Sequence, residues 1–120
     1  MDKTKASNLI SWVLVVLLAL GFLLASLGKL TGAQTQMFEQ WGYPSWFAYI
    51  IGIAELAGAI GLLIPKFTKF AILGLTLIMI GAAFTHLANG ESMQIIRPAI
   101  FAILLWGVWL LRKYSFPRKI

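Results

Sequence analysis

The chain has 120 residues, of which 60% are hydrophobic and only 12% charged, against about 45–50% and 25% in ordinary soluble domains, so it is one domain at most (1–120) and not a water-soluble one. Ten Lys and Arg against four acids give a net charge of +6, but the basic residues cluster at the ends of apolar segments, which fits membrane orientation and speaks against a nucleic-acid partner. No cysteine is present, which removes disulfides, thiolate metal ligands and Cys-based redox chemistry within the chain.

After a polar start, Leu9 to Gly28 is apolar except for Ser11 and Ser26, long enough to cross about 30 Å of hydrocarbon. A basic start before an apolar run also fits a signal peptide, but the run exceeds the usual ~7–15-residue apolar region and lacks a clean cleavage site, so it reads as a retained first helix. Between Lys29 and Pro44, Met37, Phe38 and Trp41 fall at helical spacing opposite Gln36, Glu39 and Gln40, which predicts a short interfacial amphipathic helix. Gly42 suits a helix end and Pro44 the first turn of the next helix, so the second span is 45–64. Pro65 to Lys69 is a tight basic turn, 70–88 the third span, 89–92 a loop, and 96–111 the fourth and shortest span.

Four spans place both termini on one side. The start of the chain, the 65–69 turn and the tail carry two, two and four basic residues, against one each (Lys29, Arg97) in the other loops; this predicts cytoplasmic termini in the inner (plasma) membrane. Trp41, Tyr43, Trp46 and Tyr49 would then form an outer aromatic belt, and Trp12, Trp109 and Tyr114 an inner one.

Glu55 is the one acid inside an apolar span, and an ionisable group at such depth is a functional hypothesis by default. It shares a helical face with Gly52 and Ala59 and should point at a neighbouring helix across a thin seam. Gly21, Ala25, Gly28 and Gly32 offer a matching small-residue stripe on the first helix, and Gly74 with Gly81 another on the third. Counted from the cytoplasmic ends, Glu55 lies at roughly 13 Å, His86 at roughly 24 Å and Lys29 at roughly 28 Å, a polar ladder opening outward. On that count a direct Lys29–Glu55 pair is too long unless the first helix is displaced or broken near Gly28, and a water or His86 would bridge the gap. Each residue also has a plainer reading. Glu55 could be protonated and structural, His86 a helix-end residue, Lys29 a snorkelling lysine, Arg97 a boundary residue, and Trp41 and Tyr43 belt residues instead of the lining of an outer vestibule. A protein-only metal site is not expected from one His and no Cys.

Ser-Leu-Gly-Lys-Leu at 26–30, Trp-Gly-Tyr-Pro at 41–44, the run from Gly52 to Lys66, and Met-Ile-Gly-Ala-Ala-Phe-Thr-His-Leu at 79–87 occur in this order over three of the four spans. In this set the chain resembles the DoxX-like family of small membrane proteins. The resemblance implies an all-α, four-helix membrane bundle, places the family's Lys, Glu and His on Lys29, Glu55 and His86, and links the chain to quinone-coupled sulfur oxidation or oxidative-stress complexes. The lack of cysteine argues against direct thiol chemistry in this chain. The leading expectation is an accessory subunit of a quinone-linked membrane oxidoreductase, with Glu55, His86 and Lys29 contacting a quinone head or relaying a proton. Its partners would be the bilayer and another oxidoreductase subunit, membrane-bound or peripheral. The alternatives are a proton-coupled small-molecule carrier assembled as a homo-oligomer, and a non-catalytic assembly or chaperone subunit.

Overall fold

A computed structural model describes the backbone of residues 3–115 and the side chains of residues 5–112. The tail beyond Arg112, with Tyr114 of the expected inner belt, therefore lies outside the described side chains. Five α-helices follow in order: α1 (Lys3–Leu30), α2 (Thr35–Gln40), α3 (Ser45–Leu63), α4 (Thr68–Ala88) and α5 (Ile96–Ser115), with 3₁₀ turns at Pro65–Phe67 and Ser92–Ile95. Four helical segments are long and apolar enough to cross a membrane: Lys5–Leu30, Ser45–Leu63, Pro65–Ala88 and Ser92–Arg112. Among the described residues there is no strand, and the fold is all-α.

Local chemistry sets the breaks. Gly42, at φ +95°, closes α2 with the paired hydrogen bonds Gly42 N–H to Glu39 C=O (3.0 Å) and Tyr43 N–H to Phe38 C=O (3.0 Å), a left-handed closure that glycine adopts without a Cβ penalty. Pro44 sits just before α3 in an extended conformation, one residue earlier than a first-turn position. Ile64 is extended, as the residue before a proline must be to avoid its ring. Pro98 falls in the first turn of α5, where the missing N–H costs no hydrogen bond.

The four long helices form a ring in which α1 packs on α3 and α5, and α4 packs on the same two. Neighbours are antiparallel, since Lys29 faces Gly52, Leu75 faces Gly58, and Phe101 faces Gly21, so the start of α1 and the end of α5 lie at one end of the ring, the termini end. The apolar core fills the half nearest that end: Val15, Leu18 and Phe22 from α1, Leu62 from α3, Ile72 and Leu75 from α4, Leu105 and Val108 from α5. Outward, Leu24, Phe70, Leu77, Phe84 and Ile103 are each 69–71% exposed, an apolar perimeter suited to a lipid environment.

At the termini end, a polar knot ties three helices. The Arg112 guanidinium donates to Ser11 Oγ (2.9 Å) and Thr68 Oγ1 (2.7 Å) and lies 4.8 Å over the Trp12 ring. The Thr68 hydroxyl in turn lies 3.1 Å from the carbonyls of Leu62 and Ile64 at the end of α3, where Ile64 C=O also accepts from Phe67 N–H (2.8 Å).

The small residues do not pair as simple stripes. Gly21 gives way to Phe101 of α5, whose ring would stand 2.8 Å from an added Cβ, so it does not face α3. Gly74 and Gly81 have nothing within 4 Å of such a Cβ, because α4 turns Leu75, and not its glycines, toward α3. At Gly58 a Cβ would come within 2.5 Å of Leu75. Gly58→Ala is therefore expected to lower stability by about 1–3 kcal/mol through overpacking. Gly74→Ala should raise it by up to about 1 kcal/mol through helix propensity, and denaturation of the two variants in detergent checks the opposite signs.

Candidate functional site

The central feature is an ion pair between Lys29 at the last turn of α1 and Glu55 in the middle of α3. Lys29 Nζ lies 2.9 Å from Glu55 Oε1, with side chains only 12% and 3% exposed. Gly52 makes this approach: an added Cβ would lie 3.0 Å from Lys29 Cβ and 3.1 Å from Leu30 Cγ, so α1 rests directly on the α3 backbone. Gly52, Glu55 and Ala59 are all buried on that seam. Lys29 starts level with Gly52, three residues or roughly 4.5 Å from Glu55 along the helix, and its stem runs into the bundle instead of snorkelling toward headgroups.

The direct pair replaces the outward ladder expected from counting. That count set Ile10 level with Ile64, but α1 begins at Lys3 and is 28 residues long, so its first turns extend past the end of α3. Sliding α1 by that amount brings Lys29 down beside Glu55, and neither a water nor His86 is needed as a bridge.

The pair is not fully satisfied. Glu55 Oε1 is buried yet accepts no hydrogen bond of good geometry, so the 2.9 Å contact is an off-axis charge contact. Lys29 has three N–H donors, and Glu55 is its one charged partner among the described residues. A buried acceptor and spare donors thus stand side by side at mid-bundle, the arrangement that a ligand with both a carbonyl and a hydroxyl could complete.

His86 belongs to a different cluster. At the end of α4, Gly90 at φ +73° turns the chain so that Glu91 N–H donates to His86 C=O (2.7 Å) and Gly90 N–H to Leu87 C=O (3.3 Å). This closure folds the Glu91 side chain back onto the imidazole, with His86 Nδ1 2.7 Å from Glu91 Oε1. An ionised carboxylate can only accept, so Nδ1 carries the proton. Trp41 Nε1 donates to the same oxygen at 3.2 Å, and its ring stands edge-on to His86 at 5.3 Å.

Tyr43 joins α2 to α4 nearby. Thr85 Oγ1 donates to Gly81 C=O (2.8 Å), so in the 2.7 Å contact between Tyr43 and Thr85 the phenol is the donor. Phe38 packs against Trp41, Tyr43 and Phe47 at centroid distances of 5.3, 6.0 and 6.2 Å. Arg97 is exposed at the start of α5 and forms no ion pair among the described residues. The structure thus brings Lys29 to Glu55, and Trp41 to His86, and keeps these as two clusters. Glu91 was not singled out from the sequence; the Asn-Gly pair that precedes it was the available signal, since a glycine closing a helix returns the next residue to the last turn. Among the described residues no group of His and acids could hold a metal ion.

Removing one partner of a buried pair strands the other charge. Lys29→Met is expected to destabilise the bundle by about 3–5 kcal/mol, whereas Lys29→Met with Glu55→Leu should cost far less than either single change; unfolding in detergent of the three variants measures the difference. At the end cluster, the hydrogen bond from His86, assisted by Trp41 and the charge of His86, holds the Glu91 carboxyl below its ordinary range against a smaller opposing effect of desolvation. A lowered folded-state value means that the contact contributes stability above the ordinary carboxylate range and loses it as pH falls through the lowered value. Trp41 fluorescence should therefore change on acidification below that range, and Glu91→Gln should abolish the transition.

No curated protein and no solved structure matches the chain. A family match covers residues 13–108, which takes in every residue of both clusters. With four helices of membrane-crossing length, the chain is a multi-pass integral membrane protein, and it belongs to the DoxX-like family.

Proposed function

We propose that the chain is an accessory subunit of a quinone-linked membrane oxidoreductase or oxidative-stress system, in which Lys29 and Glu55 hold the polar head of the quinone. The observation that carries this reading is the under-satisfied pair at mid-bundle, with Glu55 Oε1 buried and without a well-aligned donor. The residue types fit such a head: the Lys29 ammonium can donate to a carbonyl oxygen, and the Glu55 carboxylate can accept from a hydroxyl. A bound quinone would supply a two-electron, two-proton couple. Glu55 would hold or release the proton, and Lys29 would balance its charge in a medium where an isolated carboxylate is costly. His86, engaged with Glu91 and Trp41, would act at the end of the bundle as a fastener of α2 and not as the next step of a relay.

Orientation with cytoplasmic termini in the plasma membrane is part of the same proposal. Lys5, Lys66, Lys69 and Arg112 lie at the end of the bundle where α1 starts and α5 ends, while Lys29 and Arg97 are the lysine and arginine of the other half among the described residues. The distribution of lysines and arginines supports the positive-inside assignment.

Purified protein should bind a short-chain ubiquinone or menaquinone analogue, and Glu55→Gln should weaken that binding by about tenfold or more, the loss expected for a hydrogen bond to a charged group. The same variant should slow quinone-linked oxidation in host membranes, while a carboxy-terminal fluorescent fusion glows and an alkaline-phosphatase fusion stays inactive. Absence of analogue binding, together with unchanged oxidation in Glu55→Gln, would sink the proposal.

A further inference from the structure

We infer that the groove between α3 and α4 is a site for one acyl chain of an anionic phospholipid, whose phosphate is held by Lys66. This reading is independent of the quinone proposal, because none of the groove residues belongs to the Lys29–Glu55 pair.

The groove has a volume of about 760 Å³ and an almost wholly apolar wall, running from Ile64, Phe67 and Phe70 at the termini end to Ala54 and Leu77 near mid-bundle. Its floor is low because Gly58, Gly61 and Gly74 contribute no side chain. Gly58 lets Leu75 close the base of the groove, while Gly74 leaves open space above it. Such a trough suits a flexible hydrocarbon chain, and its length follows the helix axes as a lipid tail would.

The second, independent observation is charge at its mouth. Lys66 Nζ lies 5.6 Å from the centroid of the Phe67 ring, and that ring is part of the groove wall. One turn on, Lys69 Nζ lies 5.5 Å from the Trp109 ring of α5, which is not part of the groove wall, so this lysine turns to the α5 side of α4. Both lysines are exposed, and neither has an acidic partner among the described residues. The described acids are elsewhere: Glu55 is at mid-bundle with Lys29, Glu91 is with His86, and Glu39 is on α2. The Lys66 ammonium, held over a ring of the groove wall and without an acidic partner among the described residues, complements a headgroup phosphate joined to an acyl chain. A zwitterionic lipid brings its own cation to the same place and gains less.

Native mass spectrometry of the full chain in detergent tests this, with dioleoylphosphatidylglycerol or dioleoylphosphatidylcholine added at equal concentration. The anionic lipid should be retained roughly fivefold better, the value for one lysine near a headgroup; Lys66→Gln should remove that preference, and Lys69→Gln, on the α5 side of α4, should leave it in place. Gly74→Leu fills the trough without meeting any protein atom within 4 Å of its Cβ, so it should fold normally and retain neither lipid. Glycerol 3-phosphate, which lacks a chain, should not compete. Equal retention of the two lipids overturns the inference, as does undiminished retention in a folded Gly74→Leu. A dimer that dissociates on Gly74→Leu but not on adding the anionic lipid would assign the groove to a second copy instead. If Gly74→Leu fails to fold, the lysine variants alone decide the outcome.

Discussion

The contact on which the arrangement of the bundle depends is the one between Lys29 and Glu55. A carboxylate placed at mid-depth in an apolar span needs a counter-charge, and the chain supplies it from a lysine that begins one helical turn away on the neighbouring helix. That requirement limits the vertical register of α1 against α3 to positions within reach of the lysine stem. Gly52 makes the register accessible by letting α1 approach to backbone contact. Helices in lipid gain nothing from leaving water, so close packing over small residues and a few buried polar contacts must specify their relative positions.

The remaining polar contacts secure the ends of the helices. At one end, Arg112 reaches Ser11 and Thr68 and so joins α1, α4 and α5. At the other, Glu91 gathers His86 and Trp41, and Tyr43 donates to Thr85, so that the α2 segment is held on the end of α4. Each knot sits where helix-end carbonyls or a turn would otherwise be exposed to a poorly solvating medium. The apolar core lies between the Arg112 knot and the central pair, and the ion pair forms the roof of that core.

The number of helices was legible because apolar length, Pro65 and Gly42 are local signals, whereas α1 begins at Lys3, well before the expected Leu9. So was the face of α3 that carries Glu55: Gly52, Glu55 and Ala59 are spaced to lie together, and all three are buried. What the sequence did not reveal was the offset between helices. Lys29 lies at the end of an apolar run, and local pattern favours an outward snorkelling lysine; only the overlap of α1 with α3 turns it inward. The small-residue stripes misled for the same reason, since Gly21 serves Phe101 of α5 and Gly74 serves no protein contact. Arg112 read as the beginning of a basic tail because its partners Ser11 and Thr68 are 101 and 44 residues away.

The separation of His86 from Glu55 changes what the bundle can do. A continuous ladder from mid-depth to the surface would be a path, along which a proton could step between titratable groups. The structure instead has a compact neutral pair, with its unused bonding capacity at one place, and a second cluster that consumes its own donors and acceptors in holding α2. Unused capacity confined to one buried point is suited to holding a single polar group and poorly suited to conducting one, because conduction needs acceptors at successive depths. Of the functions proposed for the buried acid, retention of a ligand head therefore needs less than translocation would.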